Sequence, residues 1–144
     1  MILVDANLLI YACSPSMQQH ERARTWLDER LNGIAPVALP WASLLAFIRI
    51  TTNPRAFRLP AAIDAAWRQV EDWLDCPPVW IPAPGANHRA VLGHLLRSGD
   101  ASANLVQDAH LAAIAIENGL ILCSVDSDFA RFSDLRWENP LRNG

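Results

Sequence analysis

Apolar positions along this chain fall into short runs separated by longer amphipathic stretches. Ile2-Leu3-Val4 predicts a short buried strand ending at Asp5, and Leu8, Leu9 and Tyr11 follow as a loop or short helical turn. Pro15-Ser16 marks a turn. From about Gln18 to Asn32 the spacing of Ala23, Trp26, Leu27 and Leu31 predicts a helix, which Asn32-Gly33 stops. Pro36 to Leu39 reads as a second strand. Pro40 to Thr52 reads as a helix with Leu44, Leu45, Phe47, Ile48 and Thr51 on its apolar side. Asn53-Pro54 closes it, because the residue before proline resists helical geometry. Pro60 opens the next helix, where Ile63, Ala66, Trp67, Val70, Trp73 and Leu74 recur at intervals of three and four up to Cys76-Pro77-Pro78. Val79-Trp80-Ile81 predicts a third strand, and Pro84 to Asn87 leads into a helix through about Leu96. Ser102 or Asn104 is expected to cap a helix that Asn118-Gly119 ends. Leu120 to Cys123 is the fourth strand, Ser124 to Phe132 a loop with a helical turn, and Leu135 to Trp137 a final edge strand.

Short apolar strands alternating with helices predict an α/β domain with a parallel central sheet. Ligands of such sheets bind beyond the carboxyl ends of the strands. Asp5 and Asp126 both fall just past a predicted strand, so the fold puts two carboxylates on one rim.

A length of 144 residues suits a single domain spanning 1–144, and 51% hydrophobic content with six Trp suits a substantial core. No apolar run approaches a membrane span, and residues 1–12 lack the basic lead of a signal peptide, so a cytoplasmic, non-membrane protein is expected. Cys13, Cys76 and Cys123 are isolated, which fits free thiols in a reducing compartment. A formal charge of −3 argues against a general nucleic-acid coater, but not against an enzyme gripping a few phosphates. Arg49, Arg55 and Arg58 cluster in one stretch and are the candidate phosphate ligands. A solvated surface accounts for them equally simply.

The candidate chemistry is acidic. A carboxylate set against an apolar element is costly unless paired or bound to metal. Asp5, Asp108 and Asp126 each occupy such a position, with Asp128 two residues beyond Asp126. An Asx turn or cap is the plain alternative for Asp5-x-Asn7, and an exposed mid-helix side chain is the alternative for Asp108. If the aspartates converge, they form a hard-cation site for Mg2+, with Mn2+ as substitute, because no Cys or His ligand pattern accompanies them. Such a site suits phosphodiester hydrolysis. Asn7 would orient Asp5 or hold a metal-bound water, and the Ser124 hydroxyl would contact a phosphate or such a water. His20, His88, His94 and His110 are scattered and read as structural or surface residues. Trp41, Phe47, Phe57 and Trp137 read by default as core.

With those residues assembled, the chain resembles the PIN-domain family, specifically the VapC-type ribonuclease toxins of bacterial type II toxin–antitoxin systems. The opening V-D-A-N-L-L-I-Y-A, the stretch from Leu39-Pro40-Trp41 to Thr52-Asn53-Pro54-Arg55, the run V-Q-D-A-H-L-A-A-I-A-I-E-N-G and the closing L-C-S-V-D-S-D-F-A-R-F match its blocks in order. The resemblance implies a three-layer α/β/α domain and a metal-dependent endoribonuclease that cuts structured RNA such as tRNA or rRNA and so stops translation. It also implies a homodimer neutralised by a cognate antitoxin. Asp5, Asp108, Asp126 and Asp128 match the family's acidic positions, and Ser124 matches its small hydroxyl residue beside the metal.

One position departs from the family pattern. Ala46 stands where the family usually has a glutamate, and no Glu occurs between Asn32 and Glu71. Retained catalysis through the aspartates is the leading expectation. The alternatives are a catalytically impaired RNA- or protein-binding module on the same fold, and a metal-dependent DNA nuclease or phosphatase.

Overall fold

The structure is a computed structural model that describes residues 1–142. Five strands form one parallel sheet in the order β3-β2-β1-β4-β5: β1 Ile2–Val4, β2 Val37–Ala38, β3 Val79–Trp80, β4 Ile121–Cys123 and β5 Trp137–Glu138. The helices are α1 Ala6–Cys13, α2 His20–Leu31, α3 Trp41–Thr51, α4 Ile63–Leu74, α5 His88–Ser98 and α6 Leu105–Glu117, with a 3-10 turn at Ser127–Arg131.

Alternation along the short strands divides the core in two. Val4, Val37 and Cys123 face a cluster built from α1 to α4, including Leu8, Leu9, Leu27, Leu44, Phe47 and Val70. Leu3, Ala38 and Leu122 face the opposite cluster, where α5 and α6 contribute Leu95, Ala109, Ala112 and Ala113, joined by Phe129 and Phe132. Helices therefore cover both faces of the sheet, the three-layer α/β/α arrangement that the family resemblance implies. Small Ala residues on α6 bring its backbone close to the sheet.

Element boundaries differ from expectation at four places, each for a local reason. Leu8 to Tyr11 is a full helix, α1, because Leu8, Leu9, Ile10 and Ala12 are all buried and so show no helical period in sequence. Its start is fixed by Asp5, whose Oδ1 accepts from Ala6 N at 2.7 Å. Pro60 does not open α4; Ala61 N donates to Thr51 O at 2.9 Å, which holds the segment extended until Ile63. Asn104 sits at the N-cap of α6 without a side-chain bond, because its φ of −63° and ψ of −22° are already helical. The last strand starts at Trp137 because Leu135 N is held in a turn by Phe132 O at 3.0 Å.

The order of strands reverses at β1. The chain runs from β1 outward to β2 and β3, then returns to place β4 on the other side of β1. The crevice beyond β1 and β4 is therefore the switch point at which open parallel sheets bind ligands.

Candidate functional site

Asp5 leaves β1 and Ser124 leaves β4 at that switch point. The strands are in register, with Val4 beside Cys123, and Asp5 N donates to Cys123 O at 3.0 Å. Ser124 is fully buried. Its hydroxyl donates to Asp5 Oδ2 at 2.7 Å and accepts from Asn7 Nδ2 at 2.9 Å and from Asp126 N at 3.1 Å. Asn7 also approaches Asp5 Oδ2 at 3.4 Å. From outside, Trp137 Nε1 donates to Ser124 O at 3.0 Å and fixes the strand end.

The chain then turns through Asp126, whose Oδ1 accepts from Asp128 N at 2.9 Å as the cap of the 3-10 turn. Asp108 reaches the same place from the first turn of α6. One carboxylate oxygen each from Asp108, Asp126 and Asp128 lie within 4.8 Å of one another. An octahedral cation with bonds of about 2.1 Å separates its oxygens by roughly 3 to 4 Å, so small side-chain adjustments suffice to close the group on an ion. The donors are all hard oxygens, which fits Mg2+ or Mn2+. Asp5 stands outside that trio but faces it across the same crevice, and its charge acts on Asp108.

Proton affinities reflect the crowding. Asp108 is pushed up to about 6, first by desolvation and then by the charges of Asp126, Asp5 and Asp128; Arg131 opposes the shift. Arg131 is itself held by a 2.9 Å bond from Nη1 to Gly99 O. Asp5 is also raised, chiefly by burial, against the bonds from Ser124 and Ala6.

Asp5 and Asp108 open into a cavity of about 860 Å³ whose other wall is α3, with Ser43, Ala46 and Arg49, and which Asn7 and Gln107 also line. Thus Asp5, Asp108, Asn7 and Arg49 share one cavity, with Asp126, Asp128 and Ser124 joined to them by contacts at its edge. Arg55 and Arg58 are not part of that lining; they lie exposed beyond α3, where Arg55 N is tied to Asn53 Oδ1 at 2.9 Å. Ala46 does face the cavity, so the methyl group stands on the wall beside the carboxylates. The histidines lie elsewhere: His88 bridges Glu117 at 2.6 Å and His110 at 3.1 Å, His20 Nδ1 meets Tyr11 O at 2.8 Å, and His94 pairs with Asp134 at the surface. Sequence reasoning passed over Ser43, Gln107 and Arg131. No residue spacing marks them, since each reaches the site only through packing.

This architecture has known counterparts. The PIN domain family matches residues 2–135. Ribonuclease VapC37 of Mycobacterium tuberculosis is 41% identical over 140 residues, covering 97% of each chain. Ribonuclease VapC33 of the same species is 40% identical over 143 residues, covering 99% of each. Among solved structures, FitAcB from Neisseria gonorrhoeae matches with a TM-score of 0.67 at 20% identity, covering 97% of this chain and 98% of that one. VapBC-1 from nontypeable Haemophilus influenzae matches with a TM-score of 0.66 at 19% identity, covering 99% and 100%. The structural likenesses establish the fold, and the sequence likenesses extend through all the blocks that carry the aspartates. By fold, by family match and by near-full-length identity, the chain belongs to the PIN domain family, among its VapC ribonucleases.

Proposed function

We propose that this protein is a Mg2+-dependent endoribonuclease, with Mn2+ able to substitute, and the toxin of a toxin–antitoxin pair. Its substrate is structured RNA such as tRNA or rRNA, whose cleavage stops translation. Its partners are a cognate antitoxin and a second copy of itself in a homodimer. The observation that carries this reading is the meeting of Asp108, Asp126 and Asp128 within 4.8 Å beside Asp5, on a fold whose relatives are named ribonucleases. The likeness in fold to solved VapBC structures supports the antitoxin.

Asp108, Asp126 and Asp128 would hold the cation, with Asp5 completing the acidic wall. When bound, the ion supplies a Lewis acid that acidifies water and offsets charge on the scissile phosphate. Ser124 and Asn7 fix the orientation of Asp5, so that its carboxylate does not reorganise as the substrate arrives. Asp126 keeps Oδ2 available because Oδ1 is committed to Asp128 N. Arg49 faces the cavity and would pair with a phosphate oxygen, while Arg55 and Arg58 would contact RNA farther from the cut.

The test is cleavage of total cellular RNA by the purified chain with Mg2+ or Mn2+. Fragments that disappear with EDTA and with Asp126→Asn support the proposal; no cut in any RNA with either metal overturns it. Ala46 on the cavity wall favours one second reading, an RNA- or protein-binding module without catalysis. Growth arrest that persists after Asp108→Asn and Asp126→Asn would select it. Faster hydrolysis of matched DNA than of RNA would reassign the substrate.

A further inference from the structure

Helix α3 begins without a cap. Its N-cap is Pro40, which has neither a polar side chain nor an N–H, and no side chain takes the cap's place. Four N–H groups at a helix start ordinarily need outside acceptors. Here Ser43 N and Leu44 N turn back to Pro40 O, at 3.0 and 3.1 Å. Trp41 N and Ala42 N find no acceptor among the described residues.

Ser43, in the same first turn, adds an independent observation. It is 2% exposed, and its Oγ has no hydrogen-bond partner. A serine there commonly bonds its own backbone, and this one does not. A buried hydroxyl left without a partner is costly and is retained where a ligand or water completes it. Ser43 and Ala42 both line the cavity that holds Asp5 and Asp108, and Arg49 follows on the same wall. The uncapped end of an eleven-residue helix therefore borders that volume through Ala42 and Ser43, and brings to it a free N–H donor at Ala42, a positive dipole end and, just beneath the wall, one unsatisfied hydroxyl.

We propose that the N-terminus of α3 and the Ser43 hydroxyl form a phosphate subsite, which takes a backbone phosphate of the RNA next to the one that is cut. Its occupant must be an anion that accepts several hydrogen bonds, because every group offered is a donor or can act as one. A carboxylate ligand would suit the same donors, but RNA supplies a phosphate at every step along the wall from Ser43 to Arg49. Asp5 and Asp108 face the subsite with negative charge, so it fills best when a cation neutralises them. The subsite rests on the ribonuclease reading for the identity of its occupant, and on geometry alone for its preference for an anion.

Two measurements on the full chain test it. The first is thermal unfolding in inorganic phosphate against chloride at matched ionic strength, with Mg2+ present in both. Wild type should gain stability from phosphate, and Ser43→Ala should lose most of that gain. In chloride Ser43→Ala should be as stable as wild type or more so, since the unpartnered hydroxyl has gone. The second is anisotropy of a fluorescent single-stranded RNA with Ca2+ in place of Mg2+, a larger ion that still offsets the carboxylate charge but suits hydrolysis poorly. Loss of one hydrogen bond to a charged group should weaken binding by about tenfold in Ser43→Ala. Equal phosphate stabilisation of both proteins overturns the subsite, as does a Ser43→Ala protein that is clearly destabilised in chloride. A Ser43-dependent phosphate effect with unchanged RNA affinity overturns RNA as the occupant. Ser43-dependent RNA binding without any cleavage in Mg2+ supports the subsite and removes the catalytic reading instead.

Discussion

Ser124 Oγ donates a 2.7 Å hydrogen bond to Asp5 Oδ2, joining the residues that leave two neighbouring parallel strands. That hydroxyl has one hydrogen and two lone pairs, and all are used: the lone pairs accept from Asn7 Nδ2 and Asp126 N. One buried atom therefore fixes three polar neighbours. Ser124→Ala leaves an amide, a backbone N–H and a carboxylate oxygen each short of a partner. We expect a loss of about 1–3 kcal/mol in urea unfolding, the usual cost of stranding buried polar groups. The Asp5 carboxyl should also rise further, because the Ser124 bond is the strongest influence holding it down. Mn2+ titration should show weaker binding. Unchanged stability together with unchanged Mn2+ affinity would refute this role for Ser124.

Stability without metal should fall as pH rises from about 4 to about 6. An aspartate in the unfolded chain loses its proton near 4, whereas Asp108 in the folded protein holds it to about 6, through desolvation and the charges of Asp126, Asp5 and Asp128. Between those values the native state binds more protons than the unfolded state, so its stability declines with pH and levels off above the folded value. A divalent cation should reverse the decline, so the stabilisation by Mg2+ should grow with pH across the same window. Thermal unfolding between pH 4 and 7, with EDTA and with Mg2+, reads this directly. Asp108→Asn should flatten the EDTA profile; a profile that keeps its slope in that variant would place the responsible group elsewhere.

How much of this was legible in sequence depended on whether an element has one wet face. Helix α4 shows its apolar stripe because Ala66, Val70 and Trp73 face inward while the opposite side meets solvent. Helix α1 is buried on most sides, so Leu8, Leu9 and Ile10 form a run without a period. Asp5 and Asp126 were readable because Asp5 directly follows β1 and Asp126 lies three residues past β4. Asp108 was ambiguous because periodicity places a residue around a helix, not along the rim that its helix start meets. Ser43 could not be found from sequence at all: its significance is an absent partner, which only packing reveals. Arg55 and Arg58 shared a sequence cluster with Arg49, yet only Arg49 remains on α3 to line the cavity, because the chain turns away after Thr52.

Phe47 anchors the wall that carries this site. It is buried beneath α3 and meets Trp73 of α4 edge-on, with centroids 4.8 Å apart and planes at 66°. Phe47→Ala should cost about 3–5 kcal/mol, combining lost burial with the cavity left behind. The measurement is the urea midpoint at unchanged m-value. A loss well under 1 kcal/mol would mean that α3 is held by other contacts than the Phe47–Trp73 pair.

Ala46 offers the most direct probe of the cavity as a cation site. Its side chain ends in a methyl group on a wall facing Asp5 and Asp108, across a volume of about 860 Å³ that has room for a longer residue. Ala46→Glu would add a carboxylate to a crevice where carboxylates already raise one another's proton affinity. In EDTA the variant should be less stable than wild type near neutral pH, and Ala46→Gln, which has the same length without the charge, should be much less affected. With Mn2+ the order should invert: the added oxygen ligand and charge should tighten binding by roughly tenfold, the scale of about 1.4 kcal/mol. Comparing Glu with Gln separates charge from volume, so crowding alone cannot imitate the result. If Glu and Gln behave alike in both conditions, position 46 does not share a volume with the ion, and the cation must be confined to the Asp108, Asp126 and Asp128 side of the crevice.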